Sequence, residues 1–423
     1  MKITILALGS RGDAEPLIAL GLGLRKAGYE VCIATHAPFE TAVRNSGLQF
    51  SLVEPNPIEV MQSPVGQAAM ESSRNPVRAF QNFARMVNPC MLQIGAGSWA
   101  ACQGTEAILC TGIGFIFGPH IAERLNVPVI ATSLQPDNPT RAFPTPTSSA
   151  QRNFGSIFNL LTWFINDVMR WLFFRTCINQ WRQEQLNLPS IPSRTIYPRQ
   201  LRRQKRPLVY GFSPTVLPKP PDWGDHIEIA GYWFLDSPGE WQPPAALADF
   251  LAAGPAPVYV GFGSMSTRKQ EETTDLVLRA LVRTRQRGLL VTGWGGLGQT
   301  DLPDNIFSVE SAPHDWLFPQ MAAVVHHGGA GTTAAGLRAG IPSIIVPFWE
   351  DQPFWGRRVA NLGVGPPPIP RQKLTVERLA AAITTAVTDK EIQKRAAAIG
   401  EHIRAEDGVA RAVEAISRYL PVR

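Results

Sequence analysis

Residues 324–333 read Val-Val-His-His-Gly-Gly-Ala-Gly-Thr-Thr, a short apolar run that passes through glycines into a helical pattern. The run is apolar on both faces, which is typical of a buried strand in a parallel sheet. Glycines at such a strand-to-helix turn leave backbone amides exposed at the positive end of the helix, which favours binding of a diphosphate. A glycine turn with packed histidines is the structural alternative. The loop lacks the Lys-Ser/Thr of a Walker A motif, which disfavours hydrolysis of a nucleoside triphosphate.

The same alternation of apolar runs and helical patterns extends in both directions from this stretch. The runs cover 3–8, 31–34, 107–110, 129–131 and 208–211 in the first half, and 258–262, 288–292, 306–309, 323–326 and 343–347 in the second. This rhythm predicts an α/β protein with two doubly wound, Rossmann-like domains. The predicted boundaries are 1–215 for the N-terminal domain, 216–240 for a linker, 241–403 for the C-terminal domain and 404–423 for a helix returning to the N-terminal domain.

The composition excludes several classes of protein. A net charge of +6 over 423 residues is too low for a dedicated nucleic-acid binder. Five widely spaced cysteines without a C-x-x-C pair argue against a disulfide framework or a zinc site and favour the reducing cytoplasm. The most apolar stretch, 157–174, is interrupted by polar residues, so no transmembrane span is predicted. Only 17% of the residues are charged, which leaves room for an apolar or membrane-proximal partner.

The first predicted strand ends in Gly9-Ser10-Arg11-Gly12-Asp13, before a helix predicted from Pro16 onward. In a doubly wound fold this turn lies at the carboxyl edge of the sheet, where ligands bind. Its glycines do not have the G-x-G-x-x-G spacing, so the dinucleotide fingerprint is absent. Asp13 has two interpretations that the segment alone leaves open: it caps the helix, or it acts as a general base.

Two further loops follow predicted strands in the second half. Asp351 and Gln352 follow the run 343–347 and offer carboxylate and amide groups that could bind sugar hydroxyls or cap a helix. Ser264, in the loop after the run 258–262, could reach the same phosphates. The chain has no Asp-x-Asp pair, which disfavours a metal-clamped nucleotide sugar.

Taken together, the segments 9–16, 261–265, 313–318, 326–337 and 347–356 resemble the sterol glucosyltransferases of the UDP-sugar-dependent glycosyltransferase family 1. The resemblance implies the GT-B fold, in which two Rossmann-like domains face each other across a cleft. It also implies an inverting hexosyltransferase that moves glucose from UDP-glucose to a lipophilic hydroxyl, such as a sterol 3-hydroxyl. No metal and no cofactor are expected. The chain departs from the plant enzymes near Ser311, where they stack uracil on a tryptophan, and at Ala335, where they bind ribose with a glutamate.

The resemblance assigns roles to individual residues. Asp13 matches the acceptor-activating base. The donor-binding positions are Ser10, Arg11, Gly12, Ser264, Ala312, His327, Gly329, Gly331, Thr332, Asp351 and Gln352. Among them, His327 matches a histidine that contacts phosphate, and the pair Asp351 and Gln352 matches the residues that hold the sugar hydroxyls.

The acceptor side is predicted from the loop 132–144 and from the aromatic-rich segment 154–181, which otherwise reads as a helix packed on the core. The acceptor-binding candidates are Thr140, Arg141, Phe143, Phe154 and Phe158. A basic run from Arg199 to Arg206 could bring the protein to anionic headgroups as a peripheral membrane contact, or could be a solvated linker face.

Three other functions are weighed. A polyketide, terpenoid or phenolic acceptor would keep the chemistry and change the substrate. A nicotinamide or flavin oxidoreductase is disfavoured because neither glycine loop has the fingerprint spacing. A non-catalytic lipid-binding protein is disfavoured by the intact Asp13, His327 and the pair Asp351-Gln352.

Overall fold

The computed structural model of the chain describes residues 1–56, 76–148, 154–236, 241–262, 270–291, 302–348 and 350–420, with side chains for all of these except 76–87 and 270. The chain forms two compact units. The first comprises Met1–Phe212, Lys219–Leu235 and Asp407–Arg423, and the second comprises Ser213–Pro218 and Asp236–Glu406.

The first unit contains a parallel sheet and its covering helices. Its strands are β1 (Lys2–Leu6), β2 (Glu30–Thr35), β3 (Gln49–Leu52), β4 (Ala107–Cys110), β5 (Val129–Ser133), β6 (Leu208–Tyr210) and β7 (Ile227–Ile229). Its helices are α1 (Arg11–Lys26), α2 (Glu40–Asn45), α3 (Pro76–Ala101), α4 (Gly114–Leu125), α5 (Ser156–Glu184) and α6 (Tyr197–Arg203).

The strand order of this sheet is β3-β2-β1-β4-β5-β6-β7, and every neighbouring pair is parallel. Each face is buried by helices, since Ile5 packs with Leu17 of α1 in one cluster and Leu6 packs with Phe117 of α4 in another. The order reverses between β1 and β4, and ligands bind at the carboxyl ends of the strands that flank such a reversal.

The second unit repeats the architecture with five strands. They are β8 (Val258–Gly261), β9 (Gly288–Val291), β10 (Ile306–Val309), β11 (Ala323–His326) and β12 (Ser343–Ile345), in the parallel order β10-β9-β8-β11-β12. The helices are α7 (Ala245–Ala252), α8 (Gln270–Thr284), α9 (His314–Leu317), α10 (Ala330–Ala339), α11 (Gln352–Leu362), α12 (Val376–Thr388) and α13 (Lys390–Ala405). Here the reversal lies between β8 and β11.

The last helix, α14 (Gly408–Ser417), packs on the first unit. Its side chains Ala412 and Ile416 share a buried cluster with Leu17 of α1. The close packing needs a glycine on each helix, because a β-carbon at Gly23 would collide with Val409 and one at Gly408 would collide with the carbonyl of Tyr232. The Tyr29 hydroxyl donates a hydrogen bond to the Leu420 carbonyl beyond the helix.

Each apolar run predicted as a strand overlaps a strand of the structure. Two strands were not predicted. β3 is short and only partly buried, and β7 has three residues and lies inside the segment 216–240 that was predicted as a linker. Among the described residues, no helix is both long and apolar enough to cross a membrane.

Candidate functional site

Asp13 lies in the first turn of α1, beside the carboxyl end of β1. Ser10 is the N-cap residue, and its backbone N–H and its hydroxyl both donate to Asp13 Oδ2 at 2.8 Å. The interpretation of Asp13 as the N-cap is therefore wrong, because the helix begins five residues before Pro16. Asp13 is the third helical residue of a capping box. Arg11 and Gly12 beside it are exposed, and the Arg11 guanidinium pairs with Glu15 at 2.6 Å.

Gly9 allows the carboxylate of Asp13 to approach the backbone. The φ of Gly9 is 147°, and a β-carbon there would lie 2.5 Å from Asp13 Oδ2. The N–H of Gly9 donates to Nε2 of the buried His36 at 3.1 Å, and His36 Nδ1 lies 2.7 Å from the carbonyl oxygen of Val53. This pair of contacts fixes the tautomer with hydrogen on Nδ1. His36 was not predicted from the sequence, where its only signal is its place after the second apolar run.

The surroundings of Asp13 adjust its basicity. Burial raises the pKa of Asp13 above the ordinary aspartate value, while hydrogen bonds from Ser10 and the nearby His36 oppose this effect without cancelling it. The side chain keeps part of its surface accessible. A partly dehydrated carboxylate at the ligand-binding edge of the sheet can accept a proton from a bound alcohol.

In the second unit, the loop between β11 and α10 presents two histidines. His326 is fully buried, and its Nδ1 accepts a hydrogen bond from the N–H of Gly328 at 3.1 Å. His326 also pairs in register with Gly261 of β8, so the loop lies at the reversal of the strand order. Burial lowers the pKa of His327 to about 4, which leaves its imidazole neutral at physiological pH.

The environment of His327 indicates an anion site. Its Nδ1 is buried without a hydrogen-bond partner among the described residues. Its Nε2 faces Gly329, where a β-carbon would lie 2.5 Å away. Gly329 is the N-cap residue of α10, and Gly331 and Thr332 lie in the first turn, where helix N–H groups have no partner within the helix. Such amides, at the positive end of a helix dipole, favour phosphate.

The predicted sugar-binding pair packs against this loop. Gly328 has a φ of 90°, and a β-carbon there would lie 2.5 Å from Ile345 Cγ2 and 3.3 Å from the carbonyl oxygen of Gln352. Gln352 Oε1 accepts from the N–H of Phe348 at 2.8 Å, and Asp351 Oδ2 accepts from Trp355 Nε1 at 2.7 Å. Both side chains are buried. One oxygen of each is thus held in place at the start of α11.

The two remaining predicted donor-binding residues, Ser264 and Ala312, are not seen beside this loop. Ser264 lies outside the described residues. Ala312 is partly buried at the edge of an apolar cluster that contains Tyr259 and Phe318. Two residues further on, the ring of His314 stacks on the buried Phe318 with 4.3 Å between centroids.

The acceptor-side loop is held firmly in the first unit. The buried Thr140 hydroxyl donates to Asp222 Oδ1 at 2.6 Å, and the N–H of Arg141 donates to Asp222 Oδ2 at 2.7 Å. Thr140 therefore fixes the loop through its hydroxyl, and the side chain of Arg141 is exposed. Asp222, which the sequence analysis did not single out, holds both residues.

Helix α5 supports the same loop. Asn159 Nδ2 donates to the carbonyl of Arg141 at 2.8 Å, and Trp163 Nε1 donates to the carbonyl of Phe143 at 3.1 Å. At the start of the helix, Phe154 and Phe158 pack edge to face with 5.0 Å between centroids. The five acceptor-side candidates therefore lie on α5 or next to it.

Within the described part of the chain, no group of three or more His, Cys, Asp or Glu side chains is arranged to hold a metal ion.

Two families match most of the chain between them. Residues 3–144 match the glycosyltransferase family 28 N-terminal domain. Residues 295–416 match the erythromycin biosynthesis protein CIII-like C-terminal domain. The two matches cover the loops that contain Asp13 and His327.

Similar proteins of known identity include sterol 3-beta-glucosyltransferases. One from Arabidopsis thaliana is 38% identical over 100% of this chain and 68% of its own length. Another from Emericella nidulans is 38% identical over 99% of this chain but only 30% of its own length, so the chain spans less than a third of that relative.

Solved structures agree with the fold. The glycosyltransferase of kitacinnamycin has a TM-score of 0.71 at 18% identity, with 99% of each chain covered. The glycosyltransferase SnogD from Streptomyces nogalater has a TM-score of 0.67 at 18% identity, with 99% of this chain and 100% of that chain covered. The GT-B class predicted from the sequence is confirmed. Since 99–100% of this chain aligns with plant and fungal sterol 3-beta-glucosyltransferases at 38% sequence identity, the chain belongs to that group of the UDP-sugar-dependent glycosyltransferases.

Proposed function

We propose that the protein transfers glucose from UDP-glucose to the 3-hydroxyl of a sterol, with inversion at the anomeric carbon. The observation that carries this proposal is the first turn of α1, where Ser10 holds a carboxylate of raised pKa at the ligand edge of the sheet. The names of the relatives support a sterol as acceptor and glucose as the sugar.

In the proposed reaction, Asp13 removes the proton of the acceptor hydroxyl while the oxygen attacks the anomeric carbon. The bond from that carbon to the diphosphate oxygen breaks in the same displacement, through an oxocarbenium-like state. Ser10 orients the carboxylate by two hydrogen bonds, and His36 fixes the position of Gly9 behind it. A single displacement by this route inverts the anomeric centre.

The departing UDP would be held by the second unit. The amides at the start of α10 and the imidazole of His327 would donate hydrogen bonds to the diphosphate. Asp351 and Gln352 would bind sugar hydroxyls through the carboxylate and the amide group. We propose that these neutral donors and the helix dipole take the place of a metal ion in stabilising the leaving group.

The test measures UDP release from UDP-glucose with 3-hydroxysterols, other terpenoid alcohols, phenolics and polyketides, and identifies each conjugate by mass spectrometry. We expect a β-linked sterol hexoside, with the linkage read by NMR, and the same rate in excess EDTA. Turnover only with phenolics or polyketides would replace the sterol acceptor. An α-linked product would exclude the single displacement, and loss of activity in EDTA would exclude metal independence.

A further inference from the structure

The outer face of α5 exposes large apolar side chains along its first four turns. These residues, together with Phe154 just before the helix, are named here the apolar face: Phe154, Ile157, Leu161, Phe164, Ile165, Met169 and Leu172. Ile157 is 86% exposed, and the other members are between 40% and 66% exposed. Seven such side chains make a patch on the order of 700 Å², above the roughly 300–600 Å² of the largest patch on a typical monomer.

The opposite face of α5 is buried and carries tryptophans beside the polar Asn159 and Asp167. Trp163 and Trp181 on that face are almost fully inaccessible. The helix is therefore apolar around much of its circumference, although only one side is needed to pack on the first unit. A helix of this kind indicates that something apolar covers its outer face.

Basic side chains border the apolar face. The Arg199 guanidinium of α6 lies over the ring of Phe164, with 5.0 Å between its central carbon and the ring centroid. Arg199, Arg203 and Lys205, named here the basic edge, are exposed. Between residues 154 and 206 the sequence has nine Lys and Arg but only two Asp and Glu, while the whole chain carries a net charge of +6.

One of the two acids is neutralised by a cation that does not belong to the basic edge. Asp167 is buried and forms an ion pair with Arg202. A second copy of the chain docked face to face would bring two basic edges together, which like-charge repulsion opposes. An anionic bilayer offers the complementary surface, because acyl chains accept the apolar face and headgroups accept the arginines.

We infer that the apolar face of α5 and the basic edge form a docking surface for an anionic phospholipid membrane. The helix lies flat in the interface, with its axis along the membrane plane. Asn159 and Trp163, on the buried face of the same helix, hold the acceptor-side loop, so docking leaves that loop on the side of α5 away from the bilayer, one helix diameter (~10 Å) from it. This inference goes beyond sugar transfer and is tested without donor or acceptor, so its failure is distinguishable from failure of the proposed function.

The experiment is sedimentation of the full chain with phosphatidylcholine vesicles, with and without 30% phosphatidylserine. We expect wild type to sediment with the anionic vesicles, and the triple variant I157N/L161N/I165N to lose at least tenfold in partition coefficient. The variant R199Q/R203Q/K205Q should lose at least tenfold on anionic vesicles and change little on neutral ones. V282N, at a side chain 53% exposed in the second unit, is the matched control and should bind as wild type.

A second measurement covers the case in which the triple variant does not fold. All five cysteines are buried, so I157C provides one accessible thiol for an environment-sensitive fluorophore. We expect its emission to shift to the blue on adding anionic vesicles, and the same dye on V282C to stay unchanged. Failure of wild type to sediment, or an unshifted dye on I157C, would overturn the inference. The inference would also be overturned if the wild type were a dimer without lipid and the triple variant were a monomer that still bound vesicles as well as the wild type.

Discussion

Replacement of Asp13 by asparagine separates the catalytic role of this residue from its role in the capping box. The variant D13N keeps an oxygen that can accept from the Ser10 N–H, now 2.8 Å from Asp13 Oδ2, but it cannot take a proton. Loss of a general base lowers the rate by about 10²–10⁴-fold, which corresponds to about 3–5.5 kcal/mol in the activation free energy. We expect kcat/KM for the acceptor to fall by this factor.

The stability of D13N should change little. Loss of the charge at the helix N-terminus and of a charge-assisted hydrogen bond costs about 1 kcal/mol. Relief of the burial that raises the pKa of Asp13 acts in the opposite direction. The net change is expected within about 1 kcal/mol, or about 4 °C in Tm for a unit of this size.

The assay combines initial rates with differential scanning fluorimetry on D13N, wild type and E15Q. Glu15 is the matched control. It is a carboxylate two residues further along α1, and in this turn it forms an ion pair with the Arg11 side chain. E15Q should keep wild-type rates. Retention by D13N of more than a tenth of wild-type kcat/KM would refute the assignment of Asp13 as base. A fall in Tm of 10 °C or more would show that the capping contacts dominate.

Four further outcomes are expected. S10A removes the hydroxyl whose hydrogen bond lowers the pKa of Asp13, so the pKa of Asp13 should rise. In a pH–rate profile, the acidic limb of kcat/KM, where the base becomes protonated, should therefore move to higher pH. H327A should weaken UDP about tenfold by calorimetry, as expected for one lost hydrogen bond, whereas the exposed-site control H402A should not. G328A should lower Tm by about 5–10 °C, because its φ of 90° and the close Ile345 methyl cost about 2–3 kcal/mol. In the native protein at pH 8, every cysteine should react slowly with a thiol reagent, because all five are buried and burial raises the pKa of a thiol, at Cys102 to about 12. After denaturation all five should react.

The strands of both sheets could be predicted because central strands of a parallel sheet are buried on both faces and therefore read as continuous apolar runs. Ala107–Cys110 was located to the residue for this reason. β7, with the sequence Ile-Glu-Ile in a region rich in proline and glycine, has no such run and borders the sheet at one edge. Its pairing with β6 depends on the tertiary fold, which short-range pattern does not encode.

The candidate site was only partly predictable. The glycine loops were visible because close approach of backbone to a ligand or a side chain requires glycine, as at Gly9 and Gly328. The start of α1 was placed too late because Pro16 was taken as a first-turn residue, although the structure accommodates it inside the helix. His36 and Asp222 could not be found, since each contacts groups that are distant along the chain and adjacent only in the fold.

The position of α14 has a consequence for the order in which the protein forms during synthesis. The second unit is nearly continuous in sequence and can close its sheet while the ribosome is still translating residues beyond 406. The first unit cannot complete its core at that time, because Ala412, Ile416 and Leu420 have yet to cover α1. The first unit is therefore begun before the second and completed after it. Until Ala412, Ile416 and Leu420 have been made, the apolar surface of α1 stays uncovered in the nascent protein.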